Sequence, residues 1–572
     1  MINKFIAVND TSHNIAQKLT QKTCEIEDTK MREIPQEIVI GKVVNVEKHP
    51  NADKLVKCEV NCWNTTKIIC TGATNVKKNS FVPVALPWCY LPVIAITIKE
   101  VKMRWEKSEW MICAKSELGI NIDSDQKWIR NLDEDFQSLD DNHIGNSVIA
   151  TFPRLDNTMR DVDNKTLTNR PDLTWHFGVA NEIYTIYNYE DKKKINFHSL
   201  RMLHERYDNN NVLNLLANGH QSNIKVSTQT DDCRSYTLLE LDGINVQASD
   251  FYLKLQLHDL WLSSVNNRVD LSNYFMYLSG QPIHFFDAEK IIWNITVRYA
   301  HNEESFVDLF GTHHLLKDND LVITDDEKVV ALAGIVWSIN SAITNNTKHI
   351  LVEIANFAAV PIRKTAQRIW LRTDASMRYE KNINPQYSLK VFELFLDTCQ
   401  QFSNSFHHTY IWSSHTYTNA TYTSMISPQS ISFSPTKCNL LFFANESVIS
   451  YETMRSILQD LWFLIQNQDT DLIDYVPPSW RWPDDITISE DIIEEVWRIY
   501  WYENCINDEL IIPQTISKMS FFEKLYAVFI IRTCAKKSQI FWDIKNFWYL
   551  KRTIIDCRKW YTRRSKNVSN NV

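Results

Sequence analysis

The chain has 572 residues and a mass of 67.2 kDa, with 44% hydrophobic residues, 23% charged residues and a formal net charge of −8. Such a composition excludes wholesale disorder and fibrous repeats, and the charge is too small for a nucleic-acid coat or an acidic tail. The length predicts roughly four domains at about 150 residues each, and 12 cysteines without a CxxC pair predict reduced thiols in a cytoplasmic protein rather than a zinc site.

In chain order, residues 1–38 form a short opening segment. Residues 39–150 hold a β barrel and a linker. The stretches IVIGKVVNVEKH, KLVKCEV, KIICTGA and FVPVALP predict strands, and the alternation in KLVKCEV suits a half-buried one. Residues 39–120 carry 12 Lys+Arg against 7 Asp+Glu, a basic balance compatible with an OB-fold barrel that binds nucleic acid or with a barrel whose basic face is merely solvated. Phe81 to Ile98 is almost wholly apolar, but Pro83, Pro87 and Pro92 favour short strands and turns over a membrane helix. Residues 121–150 are acidic and read as the linker.

Residues 151–400 mix strands and helices, as in the alternating HILVEIANF, and predict a central α/β domain. Residues 401–505 predict a smaller, winged or α+β domain rich in carboxylates, which ends in the amphipathic run DIIEEVWRIYWY. Residues 506–572 change character again: 524–566 contain 12 Lys+Arg and 2 Asp+Glu with aromatics interleaved. The fold class is therefore multidomain α+β, without internal repeats.

Within the barrel region, HPNADKLVKCEV, IICTGATNV, VPVALP and MRWEKSEWMIC resemble the tRNA-binding OB module of synthetase-associated proteins. There Lys54, Lys57, Lys77, Lys78 and Arg104 are candidates to track a phosphate backbone; on charge alone they could equally solubilise an edge. Further on, NKTLTNRPDLTWHFGVANEI, VNNRVDLSNYFMYLSGQPIHFFDAEKI, VITDDEKVVALAGIV, RKTAQRIWLRTDASMRYEKNINP and VPPSWRW follow in order. Together they resemble the β subunit of bacterial phenylalanine–tRNA ligases.

This resemblance implies an (αβ)₂ assembly. Its α subunit would attach phenylalanine to tRNA(Phe) using ATP and Mg²⁺, and its β subunit would bind tRNA and clear mischarged tyrosyl-tRNA by hydrolysis. It also implies a central editing domain with pocket residues Ser272 and Asn273, where the family has a Thr-Asn pair, His284, the backbone wall Ala333 and Gly334, and Glu353 as the acid facing the tyrosine hydroxyl. Ester hydrolysis needs a placed water and oxyanion donors, and a site built to bond a hydroxyl rejects the analogue that lacks it. Without the resemblance, a histidine beside two phenylalanines reads more simply as a satisfied core residue.

Asp485, Asp491, Glu494 and Glu495 match the family's magnesium-binding carboxylates. The last three fall at i, i+3, i+4 on a helix, and clustered carboxylates suit a hard cation, although acids at a helix N-terminus also serve its dipole. The alternatives to an editing subunit are a non-catalytic tRNA-binding protein or a non-assembling fragment. The family continues with a catalytic-like, α-binding domain and an anticodon-binding module, so residues 506–572 are expected to be incomplete or divergent.

One compositional feature is abnormal. There are 10 Gly and 19 Trp, whereas ordinary usage would supply roughly forty glycines. Trp88, Trp105, Trp110, Trp261, Trp337, Trp370, Trp462 and Trp501 stand where the resembled motifs carry glycine, while Trp480 in PSWR fits its motif. The coincidence is expected where UGA, a glycine codon in some uncultured bacteria, is read as tryptophan; the alternative is a divergent protein with genuine tryptophans at these positions.

Overall fold

The computed structural model describes residues 1–500 except 64, 121, 123–128, 137, 164, 166, 192–219, 222–223, 293, 386–394, 396–410, 418–427, 444–447, 469–471 and 483. Residues 1–505 make one compact unit. Trp501 and the basic 506–572 segment lie outside the described residues.

The opening segment is more than an approach to the barrel. Helix Ser12–Lys22 is capped by Thr11, and strand Ile26–Arg32 pairs antiparallel with Asn157–Val162, the strand that follows the barrel. Phe5, Ile6 and Leu19 join the central core.

Between these two strands lies a five-stranded antiparallel sheet in the order Met111–Ile112, Phe81–Ala85, Ile38–Lys48, Val56–Cys62, Thr65–Thr71. Its ends approach each other where Glu109 N–H donates to Ile68 O (3.3 Å) and Cys70 N–H to Ser108 Oγ (3.1 Å), which curls the sheet into a barrel. Closure needs Gly41, because a Cβ there would stand 2.7 Å from Val60 Cγ1 and 2.8 Å from Val84 Cγ2. Val39, Val43, Val60, Val82 and Val84 fill the interior, while Ile38, Ile40, Phe81 and Ala85 pack outward against the acidic segment.

That segment is not a free linker. Asp133 accepts from Phe81 N–H (2.9 Å), Lys77 pairs with Glu134 (2.9 Å), and Phe136 stacks on Phe152 at 3.7 Å. Three of its acids, Asp133, Glu134 and Asp141, are held by the barrel. Among the described residues no helix is long and apolar enough to cross a membrane, and Phe81–Ile98 forms short strands and turns.

The central region contains two five-stranded sheets. One runs His220–Gln221, Ile411–Tyr417, Cys233–Leu241, Ile350–Phe357, Ile283–Asp287; the other runs Val226–Thr228, Ile295–Tyr299, Leu321–Thr324, Val329–Leu332, Val336–Trp337. Every residue of Ile350–Phe357 and of Ile283–Asp287 is buried, so both strands are covered on both faces. The expected boundary at 400/401 is displaced, because Ile411–Tyr417 is an interior strand paired with Cys233–Leu241. Helix Asn267–Ser279 starts on the Asn266 side chain, which accepts from Arg268 and Val269 N–H (3.0 Å each), and ends at Gly280 with φ 82°. A Cβ at Gly280 would lie 2.1 Å from Trp175.

The last described part is α+β, as expected. Strands Ile431–Phe433, Ile473–Val476 and Leu464–Gln468 form a sheet beside helices Pro435–Phe443, Tyr451–Asp460 and Ser489–Tyr500. It is tied to the central helix His176–Asp191 by a buried ionic network. Arg498 donates to Glu182 (2.9 Å) and to Glu495 (3.0 Å), and Arg170 donates to Glu182 (2.6 Å) and Asp172 (2.9 Å). Arg481 takes Glu495 in a fork (3.0 and 2.8 Å), and Thr23 also donates to Glu182 (3.0 Å).

Removing one partner from such a centre strands a buried charge. Arg498→Leu is therefore expected to cost about 3–5 kcal/mol in urea denaturation. Lys437→Leu, which breaks the exposed pair with Glu490 at 2.6 Å, is expected to leave the urea midpoint nearly unchanged, because water screens such a pair. Equal losses would mean that the network is solvated.

Candidate functional site

The predicted pocket residues are separated in sequence and meet through strand register. Ile283–Asp287 lies antiparallel to Ile350–Phe357 with His284 directly opposite Glu353, so the two side chains share a face. His284 Nδ1 is 3.4 Å from Glu353 Oε1. Glu353 is fully buried and His284 is 8% exposed. Ser272, on the preceding helix, is buried and donates its hydroxyl to Ile283 O, one residue before His284. It fixes the strand that carries the imidazole, so its hydrogen is already committed. Asn273 is half-buried and, among the described residues, bonds neither His284 nor Glu353.

Gly334 lies in the turn between Val329–Leu332 and Val336–Trp337 with φ 66°, and a Cβ there would stand 2.8 Å from Tyr379 Cδ2. Only glycine meets both demands. Tyr379 in turn donates to Ala355 O (3.0 Å), two residues from Glu353. Ala333 is fully buried beside Gly334.

Three neighbours were not singled out from sequence: Tyr236, Tyr379 and Cys233. Burial, and then the charge of Glu353, pushes both phenols well above their ordinary range and raises the Cys233 thiol. The Tyr236 hydroxyl lies beside the carboxylate and is directed toward it, although neither that hydroxyl nor Glu353 Oε2 makes a well-formed hydrogen bond. A buried carboxylate oxygen without a donor is costly, and such a group asks for a partner. The pairing of SYTLLEL with ILVEIANF, which sets Leu238 opposite Glu353 and Tyr236 opposite Ala355, would have located Tyr236 had the register been known. On the other side Trp337 stands edge-on over His284, with ring centroids 4.8 Å apart.

The basic residues split into two groups. Lys54 and Arg104 are exposed, and Lys57 pairs with Glu106 (3.0 Å) at the foot of the hairpin that carries Arg104. Asn51 donates to Arg104 O (3.3 Å) and the His49 ring bonds Met103 O (3.0 Å), which joins the loop of Lys54 to that hairpin. Lys77 and Lys78 are exposed on the loop before Phe81–Ala85, where Lys77 is paired with Glu134.

The four carboxylates expected to hold magnesium are not gathered into a ligand set. Glu495 is buried and forked by Arg481, with Arg498 on it as well. Asp485 is engaged by Arg481 and Asn169, and burial pushes it up to about 6. Asp491 caps the helix by accepting from Thr487 and Ile488 N–H (2.7 and 3.0 Å), and Glu494 is exposed. The helical spacing is as predicted, but arginines from elsewhere have claimed two of the four. These residues therefore do not fit a bound cation in this arrangement.

A separate cavity of about 680 Å³ is lined by Lys4, Arg32, Arg154, Asp250, Tyr252 and Gln256 among others, and by none of the predicted site residues.

Residues 38–139 match the model of a tRNA binding domain, residues 232–404 that of the B3/4 domain, and residues 445–502 that of the tRNA synthetase B5 domain. The basic residues, the His284–Glu353 pair and the four carboxylates fall in these three in turn. The chain is 30% identical over 510 residues to a phenylalanine–tRNA ligase beta subunit of Fusobacterium nucleatum, covering 88% of this chain and 58% of that one. It is 30% identical over 512 residues to that of Latilactobacillus sakei, covering 87% and 59%. An N-terminal fragment of the phenylalanyl-tRNA synthetase beta subunit from Pyrococcus horikoshii aligns at 16% identity with a TM-score of 0.32, over 60% of this chain and 86% of that one, too loosely to bear on the fold. The chain thus spans a little under three fifths of the length of the curated relatives it matches. With three domain models matched in order, and with relatives aligned over nearly nine tenths of its residues, the chain is similar to phenylalanine–tRNA ligase beta subunits over most of its length.

Proposed function

We propose that this chain is the tRNA-binding and editing partner of a phenylalanine–tRNA ligase. In this reading an α subunit attaches phenylalanine with ATP and Mg²⁺ in the cytoplasm, within an α₂β₂ assembly. The OB-type barrel holds tRNA(Phe) through Lys54, Lys57 and Arg104, with Lys77 and Lys78 as a second contact. None of the four carboxylates near the Ser489–Tyr500 helix is assigned to the magnesium.

The observation that carries the editing role is the buried Glu353 carboxylate, directly opposite His284 and with one oxygen that lacks a well-formed hydrogen bond. A tyrosine hydroxyl entering beside Tyr236 donates to Glu353 Oε2, and phenylalanine leaves that oxygen unpaired. The difference selects the mischarged amino acid. His284 holds the attacking water or the ribose end, and water adds to the ester carbonyl as the bond to the ribose oxygen breaks. Ser272 acts through the strand it anchors.

Removing the acceptor costs about 1–3 kcal/mol, so Glu353→Ala is expected to slow hydrolysis of preformed tyrosyl-tRNA by about tenfold to a hundredfold. His284→Ala is expected to slow it too. Phenylalanine-dependent pyrophosphate exchange, measured with the α subunit added, is expected to stay at the parental level. Parental deacylation in both variants would remove the editing role from this pocket.

A second reading, a tRNA-binding protein without hydrolytic activity, is favoured by the Trp337 ring covering His284. Trp337→Gly distinguishes the two: deacylation is expected to rise if the ring is only a cover, and to remain absent if the site is inert. For the barrel, Lys54→Glu, Lys78→Glu and Arg104→Glu are each expected to lower the log–log salt slope of tRNA binding by about 0.7–0.9. An unchanged slope would mean that the face is only solvated.

A further inference from the structure

Eleven described non-glycine residues have positive φ, and six of them are tryptophan: Trp63, Trp88, Trp105, Trp261, Trp370 and Trp462. Left-handed residues other than glycine are uncommon, and those that occur are enriched in Asn, Asp and His. Two of the remaining five are Asn, as expected.

Each of the six occupies a position that local structure reserves for a left-handed residue. Helix Phe251–Asp259 ends with Trp261 N–H donating to His258 O and Leu262 N–H to Leu257 O (3.0 Å each). Helix Tyr451–Asp460 ends the same way, through Trp462 to Gln459 O (3.0 Å) and Phe463 to Leu458 O (2.9 Å). Helix Ala359–Ile369 repeats it, with Trp370 at φ 56° and Leu371 N–H donating to Ala366 O (3.1 Å). These are Schellman ends, whose left-handed residue is usually glycine. Pro87 and Trp88 are the central pair of a turn closed by Cys89 N–H to Leu86 O (3.1 Å), with Trp88 at φ 71°. That is the Pro-Gly pattern of a type II turn. Arg104 and Trp105, at φ 48° and 79°, make the two-residue turn of the Val101–Met103/Glu106–Ser108 hairpin, where the second position favours glycine. Trp63, at φ 61°, opens the turn between the strands Val56–Cys62 and Thr65–Thr71.

At four of the six, burial does not compensate for the strained backbone: Trp88 is 75% exposed, Trp105 90%, Trp261 80% and Trp370 95%, whereas Trp462 packs against Trp480 and Trp63 against Trp110. The glycine deficit thus falls at the turns that need glycine. We infer that positions 63, 88, 105, 261, 370 and 462 are glycine in the protein its own organism makes, and that tryptophan there records a UGA codon read by the wrong table. The geometry adds Trp63 to the set. Trp110 and Trp337 lack a positive φ, so the backbone gives them no such argument.

Two measurements test this. The first is peptide mass spectrometry of the protein isolated from its source. The tryptic peptides Leu255–Arg268 and Ile369–Arg372, each holding one of the six, should be lighter than their tryptophan forms by the difference between a tryptophan and a glycine residue. Trp480, buried and outside the left-handed set, should retain its full mass. Peptides carrying tryptophan at 261 and 370 would overturn the inference. The second uses the tryptophan-bearing chain. Trp261→Gly and Trp370→Gly should each raise the folded-to-unfolded ratio by roughly 5–30-fold, and the corresponding alanine variants should not, since alanine keeps the Cβ that clashes. Alanine matching glycine at both positions would show that no left-handed constraint acts there.

Discussion

Three arginines locked among carboxylates in a buried centre set the geometry of this chain. Arg170, Arg481 and Arg498 are all buried, and guanidinium groups do not escape burial by losing a proton. Each must therefore meet its acids, and those acids come from segments far apart in sequence: Asp172 and Glu182 on one side, Asp485 and Glu495 on the other. Helix Ser489–Tyr500 is thereby fixed against His176–Asp191, which packs on Asn267–Ser279, the helix whose Ser272 anchors the strand of His284. The candidate site thus rests, through two helix contacts, on an ionic centre that touches none of its residues. Four carboxylates face three arginines there, and the imbalance falls on Asp485, raised to about 6 chiefly by burial. A carboxyl raised in this way favours the folded state at low pH, and that contribution is lost as pH rises through about 6.

Much of the architecture was legible because it is local. Alternation located the barrel strands, the proline-broken apolar run was correctly read as strands and turns, and HILVEIANF announced a strand. What sequence could not supply was pairing. His284 and Glu353 are 69 residues apart and meet through register alone, so only the family resemblance joined them beforehand. Ile411–Tyr417 was placed in the wrong domain for the same reason, since nothing local says that it pairs with Cys233–Leu241.

The carboxylates teach the converse. Spacing puts Asp491, Glu494 and Glu495 on one face of a helix, and the helix is there, but it leaves Glu494 exposed and Glu495 buried. Arg481, fourteen residues away, claimed Glu495, and the open backbone at the helix start claimed Asp491. The acidic stretch after the barrel follows the same rule, because Asp133, Glu134 and Asp141 are spent on the barrel's Phe81 N–H, Lys77 and Lys42.

The central claim is that the buried Glu353 carboxylate is the receptor for a phenol. The most direct measurement is the affinity of the full chain, carrying Trp337→Gly to clear His284, for non-hydrolysable tyrosyl and phenylalanyl amides of adenosine. One hydrogen bond to a carboxylate is worth about 1.5–3 kcal/mol. The account therefore predicts that the tyrosyl compound binds roughly ten- to a hundredfold tighter, with the preference abolished in Glu353→Ala. Equal affinities without the Glu353 change, or a preference that survives in Glu353→Ala, would contradict it.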